Sequence, residues 1–124
     1  MSILYVALGG AAGAVARYAV DAWVSEWTGG EFPWGTFAVN VSGSFLLGLL
    51  FALAVERDIL PAGTRAPVMI GFIGAYTTFS TLMLESWRLW EDGAMPLALA
   101  NLAGSSVLGI VAVLVGLTAG RALA

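Results

Sequence analysis

Residues 74–85, GAYTTFSTLMLE, set Thr77, Thr78, Ser80, Thr81 and the carboxylate of Glu85 inside an otherwise apolar stretch. Gly71 and Gly74 lie just before the threonine pair and weaken a helix at that point. An unwound turn there frees main-chain carbonyl and N–H groups. In a membrane such a break is tolerated only where it is buried in protein or lines a cavity. Carbonyl oxygens are hard ligands suited to a cation such as Na+, whereas N–H groups and hydroxyls suit an anion. The chemistry of this stretch is ion binding.

Polar residues recur elsewhere at helical spacing. Thr36, Asn40, Ser44 and Gly48 come every four residues, as do Thr77, Thr81 and Glu85, with Ser80 alongside. Asn101 and Ser105 are also four apart, with Ser106 adjacent. Three polar stripes predict a shared wet interior. The competing account has each hydroxyl bonding back to the carbonyl four residues earlier and each Asn clipping two helices together. That account fits a single Ser or Thr; the set as a whole, and above all Asn40 and Glu85, favours an ion path. Arg17 lies deep in the first apolar block, where a guanidinium is costly unless it meets carbonyls, an Asn or an anion. Snorkelling to an interface, or a helical ion pair with Asp21, would also satisfy it.

The elements that must position these groups are membrane helices. The chain has 124 residues, 60% hydrophobic and 10% charged, with a mean hydropathy of +0.92; soluble domains usually carry about a quarter charged residues. Four apolar blocks, roughly 3–24, 36–55, 68–90 and 96–120, each approach the ~20 residues that cross a bilayer. The runs are continuous rather than alternating, so barrel strands are not expected. The expectation is one all-α membrane domain over residues 1–124, with four transmembrane helices and a broken third helix. A cleavable leader is not expected, because the first basic residue is Arg17. Cys and His are absent, which removes thiol catalysis, disulfides and the common zinc and haem ligands. Five arginines against eight acidic residues form no basic patch for nucleic acid, and no phosphate-binding loop appears.

Orientation is weakly specified. Arg57, Arg65 and Arg121 fall on one side, with Arg88, and Arg17 if it snorkels, on the other. A chain with so small a bias could insert both ways up. Four helices that pack on one another hardly enclose a pore, so a dimer is expected. Gly9/Gly13 and Gly116/Gly120 are small-xxx-small pairs fitting close helix contacts, each more simply within the chain than between chains. Residue chemistry alone leads to a small oligomeric channel or transporter for an ion.

The segments GGAAGAVARY (9–18), GTFAVNVSGSFLLG (35–48) and GFIGAYTTFST (71–81) together resemble the CrcB/Fluc fluoride channels, over nearly the whole chain. The resemblance implies a passive fluoride channel of bacterial inner membranes, working as an antiparallel, dual-topology homodimer with two pores; pairing of two different chains is also known among such proteins. It implies a structural Na+ at the centre of the dimer interface, held by carbonyls that fall on Gly74 and Thr77. Asn40, Phe79, Ser80, Thr81 and Glu85 match pore positions, and Arg17 matches an arginine near the aqueous mouth. Tyr76, Ser105 and Ser106 are further candidates. The family typically reads TTFSTF, whereas this chain reads TTFSTL, so Leu82 stands where a second pore phenylalanine would be. A ring edge is electropositive and attracts an anion; a leucine offers only an apolar wall.

Two rivals remain. Small multidrug exporters are also four-helix dual-topology dimers, but they use a first-helix carboxylate, and here the embedded acid is Glu85 in the third span. A non-transporting assembly subunit would use its polar stripes as glue alone. An enzyme is disfavoured by the lack of a nucleophile–base pair.

Overall fold

The computed structural model describes residues 2–123. Four helical segments are long and apolar enough to cross a membrane: α1 (Ser2–Thr28), α2 (Trp34–Glu56), the broken third span Ala62–Glu91, and the last helix Met95–Leu123. The third span comprises α3 (62–76) and α4 (Phe79–Glu91), and the last helix is α5. Each helix outruns its apolar block at both ends, by one to four residues except at the start of the third span, which begins six residues early at Ala62, because end residues continue the hydrogen-bond ladder into the interfacial layer. Among the described residues there is no strand.

The helices pair through glycine. Along the α1–α3 crossing, a Cβ on Gly9 would collide with the Pro67 carbonyl and one on Gly13 with that of Phe72. Along the α2–α5 crossing, which is the most extensive, Gly48 faces the Val113 carbonyl and Gly116 that of Phe45. The two small-residue pairs of the sequence are thus consumed inside the chain, bringing backbones into direct contact where lipid supplies no hydrophobic drive.

The connections follow their composition. Gly29 and Gly30 adopt φ of 60° and 80° in the first loop, where Phe32, Trp34 and Phe37 form an aromatic cluster. Gly93, at φ 81°, closes α4, and Pro96 sits in the first turn of α5. At the opposite end Arg121 makes a bidentate pair with Glu56 at 2.9 Å, and Arg57 donates to the Arg121 carbonyl.

Candidate functional site

The third span breaks at two residues. Thr77 (φ −88°, ψ 159°) and Thr78 (φ −150°, ψ 116°) are extended, while the residues on either side are helical. Gly71 and Gly74 themselves remain helical, in the wider π-type winding that runs from Ala66 to Ile73 and the turn that follows. The break therefore falls on the β-branched pair and not on the glycines. Both threonines suit extended backbone, and Thr78 also caps the new helix, its hydroxyl accepting from the Thr81 N–H at 3.3 Å.

Several polar groups at the break find partners outside the regular helix ladder. The Thr77 N–H and hydroxyl both donate to the Ile73 carbonyl, at 3.0 and 3.1 Å. The Thr78 N–H, which a continuing helix would give to Gly74, donates instead to Asn40 Oδ1 at 2.8 Å. Asn40 Nδ2 returns a bond to the Thr78 carbonyl at 3.0 Å. Arg17 Nε donates to the Ala75 carbonyl at 3.1 Å. The Gly74 carbonyl is deprived of its helical partner, on an exposed residue around which nothing lies within 4 Å of an added Cβ, and the Thr77 carbonyl loses its own when the Thr81 N–H turns to the Thr78 hydroxyl. Among the described residues, no cluster of His, Cys, Asp or Glu is placed to hold a metal. Main-chain oxygens left without helical partners, such as that of Gly74, are of the hard type that would suit a cation such as Na+.

Beside the break runs a groove of about 280 Å³, lined by Asn40, Thr77, Phe79, Leu82, Ser105 and Ser106 among others. Its walls come from α2, both halves of the third span, and α5. Phe79 is 75% exposed and Leu82 only 8%, so the ring stands out from the protein and the leucine is packed. Ser106 donates back to the Leu102 carbonyl at 2.8 Å, as Ser44 does to that of Asn40 at 2.7 Å. A second hollow, of about 570 Å³, lies further along α4 and is lined by Asp21, Glu31, Glu85, Arg88 and Asp92. One carboxylate oxygen of Glu85 is buried there without a hydrogen-bond partner.

The structure thus gathers Asn40, Thr77, Phe79, Leu82, Ser105 and Ser106 around one groove and sets Glu85 in the neighbouring hollow. Ser80 is exposed, and the hydroxyl of Thr81 takes a bond from that of Thr78 at 3.0 Å. Tyr76 is buried against α2, its hydroxyl 2.9 Å from that of Ser42. Arg17 meets a carbonyl at the break and makes no ion pair with Asp21. The expected single stripe of Thr77, Thr81 and Glu85 does not exist as one helical face, because the extended pair interrupts the 3.6-residue period between its first two members. Asn101 is fully buried and donates to the Ser86 hydroxyl at 2.9 Å, so it clips α5 to α4 and does not face the groove. Sequence reasoning placed Thr78 in the polar stretch without giving it a role of its own, and it missed Ser42 and Gly43. The signal for Thr78 was present: a threonine three residues before another, ahead of an apolar run, reads as a helix N-terminus.

Residues 4–117 match the family described as CrcB-like protein, Camphor Resistance (CrcB). A fluoride-specific ion channel FluC of Magnetococcus marinus is 48% identical over 121 residues, spanning 98% of both chains. One of Acidobacterium capsulatum is 49% identical over 122 residues, covering 98% of this chain and 97% of its own. A third relative of that name, from Methylococcus capsulatus, is 48% identical over all of this chain, which spans 54% of that longer protein.

Proposed function

The chain belongs to the CrcB-like family of multi-pass membrane proteins, and from that premise we propose that it is a passive fluoride-selective channel that lets cytoplasmic fluoride leave down its gradient. The observation that carries this reading is the break at Thr77–Thr78, clamped by Asn40 and opening onto a polar-flanked groove. Fluoride is small and strongly hydrated, so a selective path must replace its water with donors while binding weakly enough for release. Asn40 has two amide hydrogens and spends one on Thr78, leaving the other to the groove. The edge of Phe79 adds an electropositive surface, and the hydroxyls of Ser80 and Thr81 continue the path toward Glu85.

The groove is walled on one side only, and Phe79 projects from it. We take the missing wall to be a second copy, antiparallel in the membrane, which makes two pores per dimer. The small arginine bias between the two ends accords with insertion in both orientations. In that assembly the Gly74 and Thr77 carbonyls of both copies would hold a structural Na+, whose charge fixes two broken helices against each other. The inner membrane is the site of action this reading requires.

The test is fluoride efflux from liposomes holding only the purified chain, with chloride as control and Asn40→Ala alongside. Fast, fluoride-selective efflux that the substitution slows supports the reading. Well-folded protein with no flux would favour a subunit that needs a different partner chain or serves assembly alone.

A further inference from the structure

We propose that Tyr76 is a positioning residue whose hydroxyl, held by Ser42, sets the direction of the carbonyls at the break and with it the strength of Na+ binding. The inference rests on the Na+ site proposed above.

Tyr76 is the last helical residue before the break, so Gly74 lies two residues before it and Thr77 one after. Rotation of this residue's backbone would turn both carbonyls relative to each other. Three contacts oppose that rotation. The ring stacks on Phe72 one turn earlier, with centroids 6.1 Å apart and planes 12° from parallel. Its edge lies over Gly43, where an added Cβ would come within 3.2 Å of Cδ2 and closer still to Thr77 Cγ2. The hydroxyl meets Ser42 at 2.9 Å.

The direction of this last bond follows from counting hydrogens. Ser42 has one hydroxyl hydrogen and lies 2.6 Å from the Ala38 carbonyl, which can only accept. Ser42 therefore donates to Ala38, and Tyr76 donates to Ser42. The result is a relay from the α2 backbone through two hydroxyls to the end of α3. It joins the two halves of the chain at the point where the helix lets go. A phenylalanine would keep the stacking and the contact with Gly43 but lose the tether. The tyrosine hydroxyl has no part in the groove, since neither it nor Ser42 lines that space.

Sodium binding to the purified full-length chain is measured by titration calorimetry in detergent at constant ionic strength, for wild type, Tyr76→Phe, Ser42→Ala, the double variant and Ser42→Thr. Fluoride efflux from liposomes is followed on the same proteins as external Na+ is varied. Tyr76→Phe and Ser42→Ala should each weaken Na+ binding roughly fivefold, the size of one neutral hydrogen bond. The double variant should be no worse than either single one, and Ser42→Thr should bind as wild type does. Efflux at saturating Na+ should return to the wild-type rate. Unchanged binding in Tyr76→Phe, additive losses in the double variant, or equal loss in Ser42→Thr would each overturn the inference. Wild type that binds no Na+ would overturn it as well. Wild type that binds Na+, loses affinity in Tyr76→Phe and yet passes no fluoride would uphold the inference and sink the channel reading.

Discussion

Asn40 grips Thr78 by both of its main-chain groups, accepting from the N–H at 2.8 Å and donating to the carbonyl at 3.0 Å. A side-chain amide is the one neutral group that carries an acceptor and a donor at the spacing of a peptide. From α2 it gives the N–H the acceptor that the interrupted helix no longer offers, and it gives the carbonyl, which as the N-cap already accepts the first bond of α4, a second donor. In hydrocarbon those groups have no water to turn to. The extended pair is thus held open by a residue on another helix, and the Gly74 carbonyl is freed as a direct result.

Asn40→Asp separates holding the break from contacting the ion. An ionised aspartate keeps the acceptor but has no hydrogen for the Thr78 carbonyl, and it puts a negative charge on the groove. Losing one neutral hydrogen bond costs about 0.5–1.5 kcal/mol. The expected outcome is a lower unfolding temperature in detergent together with loss of fluoride efflux, whereas Asn40→Gln should recover part of the stability and little of the flux.

Leu82→Phe tests the departure from the phenylalanine pair. Leu82 is 8% exposed, so a ring has to displace packed neighbours, at a cost of about 1–3 kcal/mol. Thermal unfolding should show that loss, and liposome efflux should not exceed that of the wild type. A faster and equally stable variant would mean that the second ring has room in the groove.

Gly74 and Gly116 should respond in opposite ways to alanine. At Gly116 the new methyl meets the Phe45 carbonyl and forces α2 and α5 apart, so the chain should unfold at lower temperature. At Gly74 it meets nothing within the chain, and alanine is favoured over glycine in a helix by about 1 kcal/mol. Gly74→Ala should therefore fold normally. Loss of dimer in that variant, read by light scattering on purified protein, would place a second copy against this surface.

Asn101 and Ser86 should behave as one unit. Asn101→Ala and Ser86→Ala are expected to couple in a double-mutant cycle by about 0.6–1.7 kcal/mol, the range for hydrogen bonds inside membranes. Asn101 also accepts a longer bond, at 3.4 Å, from the groove-lining Ser105, so Ser86→Ala, which leaves that bond in place, is the variant that should keep fluoride efflux near the wild-type rate.

The four spans could be read from the sequence because burial in lipid demands long apolar runs and leaves little else to decide. The glycine pairs were also legible as close contacts, and they pack inside the chain. Less legible was the position of the break. Gly71 and Gly74 looked like its cause, but Gly71 packs against the Val6 carbonyl and stays helical, so its small size serves the α1–α3 crossing. What fixes the break is Asn40, 38 residues away, and a partnership of that span leaves no local pattern. For the same reason the two asparagines looked alike in sequence, four-residue stripes around each, though one holds the break and the other joins two helices.

The break also bears on how the chain can be assembled during synthesis. Its first half packs on α1 and its second half on α5, while the clamp that stabilises the gap comes from α2. α1 and α2 leave the ribosome before Thr78 does, so the amide that must satisfy the gap is already in the membrane when the gap arrives. The two unwound residues need never face lipid bare, and α5 can dock last, onto a third span that already has its final shape.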